Sequence, residues 1–170
     1  MSEPSEIRSL YLVRHALAEE RGDAWPDDDL RPLSAKGVHR FRRVASALAA
    51  LDVRVDRVLS SPLVRARQTA EILAEHLAGP PEIVELPALR PDSEFEDVRP
   101  GLEQFSADQC LIIVGHEPCI GQMAARLLGL RHPLEFRTGA VCRIDVDTIP
   151  PAAPGDLRWF APPKLLGRIG

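Results

Sequence analysis

Two histidines and two arginines carry the chemistry that this sequence offers most plainly. Arg14 and His15 follow the apolar run Leu10-Tyr11-Leu12-Val13, and His116 follows the run Leu111-Ile112-Ile113-Val114. Arg65 stands shortly after a third run, Arg57-Val58-Leu59-Ser60. Any one of these residues alone is compatible with an ordinary packing or surface role. Their recurrence after three strand-like runs is what singles them out, because ligands in an open α/β sheet bind beyond the carboxyl ends of the strands. If the strands are parallel neighbours, the four side chains converge, and helix N-termini add backbone N–H donors beside them. Such a set suits a dianionic phosphoryl group. Arginine forks hold its oxygens, and a neutral imidazole can attack phosphorus.

The elements that must position these residues alternate along the chain. The first run reads as a strand buried on both faces. Val38, Phe41, Val44, Leu48 and Leu51 recur at helical spacing, with Arg40, Arg42 and Arg43 mostly off that stripe. After the run Arg57-Val58-Leu59-Ser60, Ser61-Pro62 reads as a helix start, with serine capping and proline in the first turn. Leu63, Ala66, Ala70, Leu73 and Leu77 form its stripe, ended by Gly79-Pro80-Pro81. Further strands are expected at 82–86, 140–146 and 157–160, with a loop and short helix over 90–101 and a helix after Pro118 through about Leu128. The fold class expected is α/β, a three-layer sandwich with a mostly parallel central sheet, one strand antiparallel, and helices on both faces.

Composition narrows the function classes. The chain has 170 residues, 45% hydrophobic and 27% charged, as expected for a single domain over 1–170. Its 21 Lys and Arg against 25 Asp and Glu give a formal charge of −4, which argues against a nucleic-acid partner. No apolar run approaches the ~20 residues of a membrane helix, and the polar start is no signal peptide, so a cytoplasmic protein with no membrane partner is expected. Three cysteines without Cys-x-x-Cys spacing read as reduced packing thiols. Neither a metal nor a cofactor is expected. The Arg40, Arg42 and Arg43 cluster reads as a solvated helix face, with a docking patch for an acidic partner as the alternative.

Whole blocks of sequence make the reading specific. Val13-Arg14-His15-Ala16, the stretch from Ser61 through Arg65-Ala66-Arg67-Gln68-Thr69 to Ala70, and Val114-Gly115-His116-Glu117-Pro118 resemble, in order, the three signatures of the histidine phosphatase superfamily. The stretch from Asp28 to Gly37, Phe136-Arg137-Thr138-Gly139-Ala140, and Trp159-Phe160-Ala161-Pro162-Pro163 resemble its short SixA-type branch of phosphohistidine phosphatases. The resemblance implies a phosphoglycerate mutase-like fold without a large cap insertion, and a metal-independent phosphatase. It implies that His15 is the nucleophile, transiently phosphorylated, that Arg14 and Arg65 hold the phosphoryl oxygens, and that His116 hydrogen-bonds the same group. Arg31 is placed either as a phosphate contact or as a loop arginine paired with Asp28 or Asp29. Glu117, beside His116, is placed with Arg31 as a substrate contact.

Two departures matter. Ala16 stands where the superfamily usually has glycine, and its Cβ is expected to crowd the pocket. No carboxylate occupies an unmistakable general-acid motif; Asp92, Glu94, Glu96, Asp97 and Glu117 are the candidates. An alcohol leaving group needs that proton, a contribution of ~10²–10⁴ in rate. A phosphohistidine is a phosphoramidate whose imidazole leaves once protonated from solvent, so the expected substrate is a protein phosphohistidine. The alternatives are a small phosphorylated metabolite or nucleotide, and an inactive module that only binds phosphorylated partners.

Overall fold

The computed structural model describes residues 6–170. Among these residues six strands form one sheet: β1 (Arg8–Arg14), β2 (Arg57–Ser60), β3 (Glu82–Glu85), β4 (Cys110–Gly115), β5 (Val141–Val146) and β6 (Asp156–Ala161). Their order is β3-β2-β4-β1-β5-β6. The pairs β2–β3, β2–β4 and β1–β4 are parallel, and β5 runs antiparallel to both its neighbours. One strand of the six therefore opposes the rest, as expected.

Among the described residues five α-helices flank the sheet: α1 (Ala35–Ala50), α2 (Val64–His76), α3 (Phe95–Leu102), α4 (Cys119–Leu128) and α5 (Pro163–Leu166). The two faces follow from the two-residue period of the strands. Leu111 and Ile113 of β4 point to one side, into a core with Val98 and Leu102 of α3 and Ile120, Met123 and Leu127 of α4. Ile112 and Val114 point to the other, against Phe41, Val44 and Leu48 of α1 and Ala66, Ala70 and Leu73 of α2. The central strands are buried on both faces, so they read as continuous apolar runs. Among the described residues no helix is long and apolar enough to cross a membrane.

Local chemistry sets the helix starts. Ser34 caps α1 by accepting a hydrogen bond from the Gly37 N–H at 3.0 Å. Gly37 is required by close approach: a Cβ there would be driven into the Leu17 carbonyl oxygen. The start of α2 differs from expectation. The helix begins at Val64 with Leu63 in the capping position, and no side chain caps it. The Ser61 hydroxyl accepts a bond from the Leu63 N–H at 3.3 Å, but its stronger partner lies on another strand end.

Candidate active site

β2, β4 and β1 are adjacent in the sheet, so the residues leaving their carboxyl ends emerge side by side. The His15 N–H bonds the Gly115 carbonyl at 3.0 Å, and the Ser61 N–H bonds the Val114 carbonyl at 3.1 Å. These bonds extend the ladders one residue past the strands and bring His15, Ser61 and His116 together. The His15 and His116 rings lie 5.0 Å apart between centroids. Together with Arg14, Arg31, Arg65 and Glu117, they line a cavity of about 250 Å³. All six residues singled out from the sequence therefore meet in one place.

His15 is buried, and its Nδ1 lies 2.7 Å from the Ala16 carbonyl oxygen. A carbonyl only accepts, so Nδ1 carries the proton and Nε2 keeps its lone pair. Burial, reinforced by the Arg65, Arg14 and Arg31 charges, pushes the His15 pKa down to about 3. The ring is neutral, as a nitrogen nucleophile must be.

His116 is held by the Ser61 hydroxyl, 2.7 Å from its Nε2. Its Nδ1 is buried without a protein partner. Burial, together with His15 and the nearby arginines, lowers its pKa to about 2. A neutral ring receiving the Ser61 O–H at Nε2 carries its own proton at Nδ1, a donor left for a ligand.

The arginines are pinned at one end and unpaired at the other. Arg14 donates from Nη1 to the Phe136 carbonyl at 2.7 Å. Arg65, almost fully buried, donates from Nη1 to the Asp28 carbonyl at 2.7 Å and from Nη2 to its carboxylate at 3.0 Å. The Nε atoms of Arg14 and Arg65 are buried without partners. Buried donors of this kind are costly unless something binds them. Arg31 lines the cavity and pairs with Asp28 at 2.7 Å, the loop pairing expected of it. Asp28 thus serves two guanidiniums at once, and the Arg31 hydrogen bond leads in lowering its pKa.

Of the five carboxylates considered as acids, only Glu117 lines the cavity. Glu94 and Asp97 form a reciprocal capping box at the start of α3, and Glu96 pairs with Arg126 at 3.1 Å. Burial raises the Glu117 pKa, opposed by hydrogen bonds from the Phe136 and Gly121 N–H groups and by Arg14. Ala16 also departs from expectation. Its methyl packs into the core on the α1 side and is not among the side chains lining the cavity. Burial raises the thiols, Cys119 to about 11, and Cys110 and Cys142 to about 12.

Three supporting residues escaped sequence reasoning. Thr69 of α2 accepts from the Ala16 N–H at 3.0 Å and donates to the Arg65 carbonyl at 2.7 Å. It ties the His15 loop to the Arg65 turn. Gly139, at φ 77°, donates its N–H to the Arg14 and His15 carbonyls at 3.1 and 3.0 Å, a backbone conformation that favours glycine. Ser61 is the third. Ser61 and Thr69 both stand inside the second motif, which was the only available signal.

Comparison with known proteins bears on the same residues. The model of the histidine phosphatase superfamily (branch 1) matches residues 10–91, which include Arg14, His15, Arg31 and Arg65. A protein of unassigned function from a Picosynechococcus species is 42% identical over 118 residues, covering 68% of this chain and 70% of its own length. Phosphohistidine phosphatase SixA of Escherichia coli is 29% identical over 159 residues, 91% of this chain and 93% of SixA. Among solved structures, the protein histidine phosphatase SixA complexed with tungstate superposes with a TM-score of 0.82 at 28% identity, covering 93% of this chain and 99% of that one. Phosphoglycerate mutase from Bacillus anthracis shares the fold, with a TM-score of 0.73 at 15% identity over 96% of this chain and 98% of its own. Motif order, sheet order and whole-length similarity to SixA agree: the chain belongs to the histidine phosphatase superfamily.

Proposed function

We propose that the protein is a phosphatase that removes phosphate from phosphohistidine in other proteins, through a phosphohistidine formed on His15. The observation that carries this reading is a neutral His15, its Nδ1 tied to the Ala16 carbonyl, in a cavity walled by Arg14, Arg31, Arg65 and His116. In the first step His15 Nε2 forms a bond to phosphorus as the substrate's nitrogen–phosphorus bond breaks. The departing imidazole takes its proton from solvent. In the second step water attacks the phosphoryl group, the His15 nitrogen–phosphorus bond breaks, and inorganic phosphate leaves. Arg14, Arg65 and the His116 Nδ1–H stabilise the charge spread over the equatorial oxygens in both steps. Arg31 adds a further positive charge at the cavity wall.

Similarity to SixA, a phosphohistidine phosphatase solved with the tetrahedral oxyanion tungstate, supports the same ligand class. The scarcity of acids supports a phosphoramidate over an ester. Glu117, the one candidate acid at the cavity, is already engaged by the Phe136 N–H at 3.2 Å and faces Arg14, contacts that oppose the raising of its pKa by burial. Exposed Arg21 and half-exposed Leu17 at the rim leave the cavity open toward a folded partner.

Glu117 also favours a second reading. Burial raises its pKa, and a protonated Glu117 would serve an alcohol leaving group, making the substrate a small phosphomonoester. Steady-state hydrolysis of phosphohistidine and of phosphomonoesters by wild type, Glu117→Gln and His15→Ala separates the two. The proposal expects preference for phosphohistidine, little change in Glu117→Gln, and no turnover or trapped phosphate in His15→Ala. A preference for esters, with a loss of ~10²–10⁴ in Glu117→Gln, would establish the second reading instead.

A further inference from the structure

A second concave surface lies between α1 and α5. Arg40 and Arg43 from successive turns of α1 face Lys164 of α5 and Arg168 just beyond it, and the four line a groove of about 560 Å³ with Pro163 and Gly167. All four cations are solvent-exposed. Among the described residues none of them has a carboxylate within ion-pair distance, in a chain whose formal charge is −4. Arg43 donates to the Gly167 carbonyl, which fixes one wall of the groove. A cleft lined by one sign of charge focuses its field and concentrates ligands of the other sign.

The groove and the catalytic cavity are neighbours on the surface. A small recess between them, lined by Ala16, Gly37, Phe41 and Gly139, shares Arg40 and Pro163 with the groove. The same recess shares Leu17 and Thr138 with the cavity that holds His15. A chain whose phosphohistidine sits against His15 can therefore run past Thr138 and Pro163 into the basic groove.

We propose that this groove docks an acidic segment of the phosphohistidine-bearing substrate protein, its carboxylates meeting Arg40, Arg43, Lys164 and Arg168. The inference rests on the protein-phosphohistidine reading above. Arginine forks match carboxylates in two-bond geometry. A flat bilayer fits poorly, because the cations line a recess and do not stand on a convex face.

The test uses three substrates: free phosphohistidine, a phosphohistidine peptide with a run of Glu and Asp on one flank, and the same peptide with a Ser and Gly flank. The variant is Arg40→Glu, Lys164→Glu, Arg168→Glu, which leaves the Arg43–Gly167 bond in place. Wild type is expected to favour the acidic peptide in kcat/KM by roughly tenfold at low salt, from three or four exposed pairs. Added salt should erode that preference. The variant should lose or reverse it, with unchanged kcat/KM on free phosphohistidine and an unchanged circular dichroism spectrum. Hydrolysis of free phosphohistidine with equal kcat/KM for the two peptides would overturn the docking proposal and leave the functional reading standing. Failure to hydrolyse any of the three would overturn both. Sedimentation of wild type, but not the variant, with phosphatidylglycerol vesicles would overturn docking in favour of a lipid surface.

Discussion

Replacing Thr69 by valine keeps the shape of the side chain and removes one hydroxyl, which makes it a sharp probe of how His15 is held. Thr69 is fully buried, and so is the Ala16 N–H that it accepts at 3.0 Å. Valine leaves that N–H without an acceptor, at a cost of about 1–3 kcal/mol. The Arg65 carbonyl loses less, because it retains its helical N–H partner in α2. No cavity opens, so no packing loss adds to the total. For a chain of this size the stability loss corresponds to a fall in Tm of roughly 2–12 °C. The kinetic consequence follows from the next bond along: the Ala16 carbonyl is what anchors His15 Nδ1 at 2.7 Å. A loosened Ala16 peptide misaims Nε2, and small misplacements of a nucleophile cost up to ~10² in rate. We expect kcat on phosphohistidine to fall about 10- to 100-fold while KM changes little, since Arg14 and Arg65 keep their own anchors. Thr69→Ser, which retains the hydroxyl, should recover most of kcat. A Thr69→Val protein with wild-type Tm and kcat would refute the reasoning.

Other expectations concern titration, His116 and α1. His15 and His116 hold native pKa values of about 3 and about 2, below the ordinary imidazole value of about 6.5. The unfolded chain therefore binds protons that the native one refuses, so this stability is complete above about pH 6.5 and is lost as pH falls toward the native values. The two rings together contribute a slope of up to about 2.7 kcal/mol per pH unit below pH 6, measurable by urea unfolding between pH 5 and 7.5; a flat profile would contradict their neutral burial. Ser61→Ala removes the 2.7 Å partner of His116 Nε2 and should lower kcat about tenfold; single-turnover phosphorylation of His15 at an unaltered rate would show that the hydroxyl does not orient the ring. Gly37→Ala should destabilise, although alanine favours helix by about 1 kcal/mol, because its Cβ meets the Leu17 backbone, where overpacking costs about 1–3 kcal/mol. A raised Tm in that variant would show that the loop yields.

Much of the fold was readable because the central strands are buried on both faces. Leu10–Val13 and Leu111–Val114 have no exposed side to interrupt their apolar runs. The stripe of α1 was equally plain, since Phe41, Val44 and Leu48 face the sheet and Arg40 and Arg43 face solvent. The four residues first singled out were legible through their motifs. What escaped depended on partners distant in the chain. Ser61 looked like a cap because capping is a local statistic, whereas its partner His116 is 55 residues away. The Asp28–Arg31 pair is a local contact, but the claim of Arg65 on the same carboxylate spans 37 residues. The carboxylates near α3 could not be sorted from Glu117, because their orientation is decided by the helix cap and by Arg126. The basic groove joins α1 to a helix that starts more than a hundred residues later.

β1 occupies an interior place in the sheet, flanked on one side by β4 and on the other by β5. The His15 peptide gives its N–H to Gly115 and receives at its carbonyl the N–H of Gly139. The residue proposed to attack phosphorus is thus stitched into the part of the molecule that opens last. Its amide should exchange with deuterium only when the whole chain unfolds, with the protection of the β4 amides and not that of the surface loops. Fraying of the rim can change what reaches the cavity without changing where the nucleophile points. In denaturant, then, the site should keep its geometry until the sheet itself gives way, so that loss of turnover and loss of structure share one midpoint.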